Sequence, residues 1–163
     1  MMQRRRCLGA LSATVLTTSL GLSGCASKPP AAERIWSGRL AVTVHDTPPQ
    51  NFSASFELQG TPEAGRLTLL SPLGTTLAHV QWSPQGAQWQ RGSEWETRPN
   101  LGELMRELLG TELPVTHLFA WLNGEVTRTE GWVVDLSRHA DGRIQAQRET
   151  PLPRAELRVV FAP

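Results

Sequence analysis

Residues 36–58 read WSGRLAVTVHDTPPQNFSASFEL. From Trp36 to Val44 the even positions are Trp36, Gly38, Leu40, Val42 and Val44, and the odd ones are Ser37, Arg39, Ala41 and Thr43. That alternation predicts a strand with one apolar face. His45-Asp46-Thr47-Pro48-Pro49 breaks it, and Pro pairs of this kind mark turns. The pattern then resumes, with Phe52, Ala54, Phe56 and Leu58 on one face and Asn51, Ser53, Ser55, Glu57 and Gln59 on the other. Two strands joined by a short breaker pair antiparallel, since a parallel pair needs a long crossover.

The same reading extends outward in both directions. Gly60 to Gly65 predicts a turn, Arg66–Leu70 a third strand, and Ser71-Pro72-Leu73-Gly74 its end. Thr75–Trp82 follows with Ala78, Val80 and Trp82 in phase, and Ala87–Gln90 and Glu94–Thr97 form a hairpin around Arg91-Gly92-Ser93. The period then changes. Leu101, Leu104, Met105, Leu108 and Leu109 stand at the i, i+3, i+4, i+7, i+8 spacing of an amphipathic helix. Asn100 is its N-cap, Glu103 holds the reciprocal capping position, and Gly110 suits the left-handed end. A second helix is expected from Pro114, carrying Val115, Leu118, Phe119, Trp121 and Leu122 and stopping at Asn123-Gly124. Strands return at Trp132–Ser137, at Arg143–Glu149 after the Ala140-Asp141-Gly142 turn, and at Ala155–Phe161. The expectation is about nine strands in an antiparallel, meandering, curled sheet, with two helices that cover its apolar face or plug its mouth. Alternation alone does not separate a hollow interior from a filled one, and most apolar faces pack.

Composition narrows the function. The chain has 163 residues, 19% charged and 39% hydrophobic, with a net charge of +1. That suits one globular domain and gives no basic surplus for nucleic acid. Its two cysteines, Cys7 and Cys25, both lie near the N-terminus, and the four histidines are scattered. No disulfide framework or metal site is expected from such a set. Nor does any catalytic motif appear, so the chain reads as a non-enzyme. Glu94 and Glu96 share a strand face and read either as a carboxylate pair or as a solvated face. His79, opposite in phase to Val80 and Trp82, reads as an outward polar residue. Asp135 and Ser137 share a face with no histidine placed to complete a triad. Leu73 sits in a Pro-Gly turn, where it either folds back onto the core or stands exposed as an apolar probe.

The first 24 residues read as a signal peptide. Arg4, Arg5 and Arg6 form a positive start, and the apolar stretch from Cys7 to Leu22 is too short to span a bilayer. It ends in Leu22-Ser23-Gly24-Cys25, which resembles the lipobox of bacterial lipoproteins, with Cys25 as the lipidated first residue of the mature chain. Acylation at one cysteine would anchor the protein without a membrane helix. Ala26, rather than Asp, follows the cysteine, and under the lipoprotein sorting rule this favours the outer membrane. Residues 25–33 then form a lipidated tether with Pro29-Pro30, and 34–163 form a single domain.

Five features taken in order resemble the LolB family. They are the lipobox at Cys25, Trp36-Ser37-Gly38-Arg39-Leu40, Ser71-Pro72-Leu73-Gly74, Leu113-Pro114-Val115 running through Leu118 to Trp121-Leu122-x-Gly124, and Gly131-Trp132-x-Val134. The resemblance covers nearly all of the chain from Cys25 onward. It implies a half-open β-barrel of about nine to eleven strands with a helical lid. It also implies an apolar cavity that accepts acyl chains of another lipoprotein from the periplasmic carrier LolA and delivers that cargo to the inner leaflet of the outer membrane. Leu73, flanked by Pro72 and Gly74, occupies the family's membrane-insertion position. Leu40, Val42, Phe52, Phe56, Leu67, Leu69, Val80 and Trp82 are the expected cavity lining on the strands, with Leu104, Leu108, Leu118 and Trp121 on the lid. A monomer facing the periplasm is expected. One departure stands out: only Glu125–Glu130 separate the second helix from the next strand, where the family carries more chain, so this is a shortened member.

Overall fold

The computed structural model describes residues 34–129 and 131–163; the signal peptide, the lipobox with Cys25, and the tether lie outside the described residues. Nine strands and two α-helices follow one another as β1 (Trp36–His45), β2 (Gln50–Gly60), β3 (Gly65–Leu70), β4 (Thr76–Ser83), β5 (Gly86–Arg91), β6 (Glu94–Arg98), α1 (Leu101–Leu109), α2 (Val115–Leu122), β7 (Trp132–Asp135), β8 (Arg143–Arg148) and β9 (Arg154–Phe161). All nine strands join one antiparallel sheet in the order β6-β5-β4-β3-β2-β1-β9-β8-β7. β6 and β7 are its two ends and do not pair with each other, so the barrel is unclosed.

Register places apolar residues side by side. Leu40 lies between Ala54 and Val159, and Val42 between Phe52 and Leu157. Leu67 sits between Leu58 and Val80. Directly opposed residues point to one face, so the alternating apolar positions gather on a single side of the sheet, where most are buried. At 25 cal/mol per Å² of apolar area removed from water, this face is the main source of stability. Gly38 interrupts the apolar phase between Trp36 and Leu40 for a steric reason: a Cβ there would run into the Val160 carbonyl oxygen and lie 2.9 Å from Phe161 Cα. Backbone cannot yield as a side-chain tip can. Gly38→Ala should therefore cost about 1–3 kcal/mol in urea unfolding, while Ser37→Ala, at an exposed neighbour, should stay within about 0.5 kcal/mol.

The helices form where the period changes. The Asn100 side chain accepts the Glu103 N–H at 2.9 Å and donates back to the Glu103 carboxylate at 3.1 Å. This is the expected cap, with the return bond made to the side chain of Asn100 rather than its backbone. Gly110 ends α1 at φ 71°. β7 stops at Asp135, short of the expected Ser137, because the Asp135 carboxylate accepts the Ser137 N–H at 2.8 Å and turns the chain. That bond also holds the Asp135 carboxyl below its ordinary range.

Candidate functional site

The concave face and its two helices make one continuous apolar cluster. Of the twelve expected lining residues, Leu40, Val42, Phe56, Leu67, Leu69, Val80, Trp82, Leu104, Leu118 and Trp121 are buried, and Phe52 and Leu108 pack against them half-buried. α1 lies against β5 and β6. Phe119 on α2 meets Trp82 edge-on, with ring centroids 6.1 Å apart.

Polar bonds at the helix ends hold this cover in place. Arg98 on β6 donates to both carboxylate oxygens of Glu107 on α1, at 2.6 and 2.7 Å, and to Glu96 at 2.9 Å. The hydrogen bonds to Glu107 and then Glu96 raise the Arg98 guanidinium above its ordinary value. Glu96 thus braces Arg98 from the same strand, and Arg98 ties α1 to the edge strand through Glu107. At the other end, the His139 ring donates from Nε2 to the Leu122 carbonyl at 3.0 Å. The Trp121 indole N–H donates to Thr127 Oγ1 at 2.9 Å, inside the connection between α2 and β7. His79 stands on the outer face, bonded to Thr68 at 3.2 Å, as expected of an outward polar residue.

The β3–β4 turn resolves the two readings of Leu73. The Gly74 N–H donates to the Ser71 carbonyl at 2.9 Å, the Thr75 N–H to Ser71 Oγ at 3.1 Å, and the Ser71 N–H to the Thr75 carbonyl at 2.8 Å. Gly74 takes φ 83°, a left-handed value that closes the turn at no steric cost to glycine. Pro72 borders a groove of about 350 Å³ on the outer face over Ala41, Ser53 and Val160. Leu73 is 94% exposed. The turn is tied down by its neighbours while its leucine points at solvent.

One functional candidate escaped the sequence reading. A pocket of about 400 Å³ opens where the start of α2 meets β7 and β8, walled by Leu101, Leu113, Pro114, Val115 and Trp132 and bordered by Arg148. Arg148 is 6% exposed, and burial lowers its guanidinium from the ordinary value. The signal was available: Ile144, Ala146 and Arg148 share one phase, so the arginine had to point inward with them. Among the described residues no group of His, Cys, Asp and Glu could hold a metal ion, and no helix is long and apolar enough to cross a membrane.

Comparison with known proteins rests on this fold. The sequence profile of the family described as "Outer membrane lipoprotein LolB" matches residues 35–157. The chain belongs to the LolB family. Its LolB relatives include the outer-membrane lipoprotein LolB of Cupriavidus metallidurans, 32% identical over 92% of this chain and 76% of the relative. That of Cupriavidus taiwanensis is 32% identical over 94% and 85%, and that of Dechloromonas aromatica 35% identical over 68% and 63%. As a LolB protein the chain is an outer-membrane lipoprotein with a role in lipoprotein localisation.

Proposed function

We propose that this protein accepts the acyl chains of other lipoproteins from the periplasmic carrier LolA and passes them into the inner leaflet of the outer membrane, acting as a monomer anchored through Cys25. The observation that carries this reading is an unclosed sheet whose concave face is apolar along β1–β4 and β9 and is roofed by two short helices. Acyl chains cannot cross water bare. A myristoyl-length chain represents on the order of 10 kcal/mol of apolar burial at about 0.8 kcal/mol per methylene. A receptor must match that burial for transfer to run forward, and no cofactor or nucleotide is needed if affinity rises along the route.

In this reading the chains lodge among Leu40, Val42, Phe52, Phe56, Leu67, Leu69, Val80 and Trp82 on the strands, and Leu104, Leu108, Leu118 and Trp121 on the helices. These residues now cover one another. Cargo therefore replaces contacts that α1 and α2 make with the sheet, and the helices act as a lid. The tight mutual cover favours one rival reading, a partner-docking outer-membrane lipoprotein with a permanently filled core.

Fluorescent fatty-acid titration of a soluble Cys25→Ala form separates the two. Acyl uptake predicts saturable binding with a rise in probe emission, and Leu118→Glu on the lid weakens it at least tenfold. A folded protein that takes up no probe leaves the docking reading standing.

A further inference from the structure

Arg148 is the one buried charged side chain among the described residues, and its surroundings satisfy it incompletely. Its Nη2 donates to the Pro153 carbonyl at 2.9 Å, and its guanidinium carbon lies 5.6 Å from the centre of the Trp132 ring. Its Nε–H has no partner. Glu112 lines the same pocket and favours the charge from a distance, but its carboxylate is bonded to Arg106 at 2.7 Å, and Arg106 itself opposes the Arg148 charge. A second polar atom on the same pocket is also buried and unpartnered, Thr129 Oγ1. Buried polar groups are normally hydrogen-bonded, and each exception asks for a reason. Here two donors share one pocket whose other walls are Leu113, Pro114, Val115 and Trp132.

We propose that this pocket binds the monoanionic head of an amphiphile, with Arg148 Nε–H and the Thr129 hydroxyl donating to its oxygens and the apolar walls receiving the first methylenes of its tail. A cation without an ion pair selects an anion over a neutral carbonyl, because charge-assisted bonds are about twice as strong as neutral ones. Glu112 at the rim disfavours a dianion, so a carboxylate or a phosphodiester fits better than a phosphate monoester. At about 400 Å³ the space lies within the range of small-ligand pockets. The inference extends the acyl-binding reading by adding a polar subsite at the lid's margin, and it stands or falls separately from the concave cavity.

Calorimetric titration of the soluble Cys25→Ala protein with three short amphiphiles below their aggregation limits tests it. They are octanoate, its uncharged counterpart monooctanoylglycerol, and dihexanoylphosphatidylglycerol. The expected result is at least tenfold tighter binding of one or both anions than of the glyceride. Octanoate alone identifies a carboxylate site; the phospholipid alone identifies a phosphodiester site. Arg148→Met keeps the apolar volume and should remove that preference while leaving glyceride affinity unchanged. Thr129→Val, a milder change, should weaken the anions about threefold to tenfold. Thermal unfolding of both variants establishes that they fold. Equal affinity for charged and uncharged probes, or an anion preference that survives Arg148→Met, overturns the proposal. Anion binding without uptake of any long-chain fatty acid would uphold the pocket while removing the concave cavity.

Discussion

Leu73→Glu should leave the protein folded and able to take up acyl chains, yet reduce delivery of a labelled lipoprotein to liposomes at least tenfold. The folding part follows from exposure: at 94% exposed, Leu73 makes little contact to lose, and surface changes of this kind stay within about 0.5 kcal/mol. The delivery part follows from chemistry. Burying a leucine side chain in an apolar phase gains about 1.5–3 kcal/mol, whereas a carboxylate resists leaving water. The turn makes this gain usable, because the Ser71 bonds to Gly74 and Thr75 hold the tip and little ordering is left for contact with the bilayer. Leu73→Phe should keep delivery near the parent level. Liposome transfer, run beside thermal unfolding and fatty-acid titration, reads all three properties. Normal delivery by Leu73→Glu would remove this residue from the mechanism.

Trp121→Ala is expected to be the most damaging single change on the lid. Its ring is fully buried at 0% exposure and its indole N–H is spent on Thr127. Truncating a buried aromatic costs about 3–5 kcal/mol. In a domain of this size that lowers the melting temperature by roughly 10–15 °C. Trp121→Phe keeps most of the apolar volume and loses the hydrogen bond, so it should cost nearer 1 kcal/mol. Chemical unfolding of the two variants apportions the lid's stability between packing and the tie to the α2–β7 connection. If both variants unfold like the parent, α2 is not held through Trp121.

Much of this architecture was legible from the period-2 runs, because a sheet with one wet face and one dry face must alternate. The nine strands and the two helices fall where the pattern placed them, and Asn100 and Gly110 bound α1 as their chemistry required. Longer-range facts were not legible. The Arg98 contact to Glu107 joins β6 to α1, and no strand or helix period announces it. Leu73 was left with two orientations because a turn leucine can go either way, and only the folded turn shows it exposed. Arg148 was passed over for a different reason. It ends an apolar run, where a charge reads as the return to solvent, yet β8 continues inward by one more residue.

The pairing of β1 with β9 has an outcome for assembly. β1 to β6 form a chain of neighbours along the sequence, and so do β7 to β9. Only the β1–β9 ladder joins the two groups within the sheet, setting Leu40 against Val159 across well over a hundred residues. Closing so wide a loop is slow. The amino-terminal meander must therefore wait for the last-made residues before its central seam is zipped, and loss of Arg154–Phe161 would strand β7 and β8 along with β9.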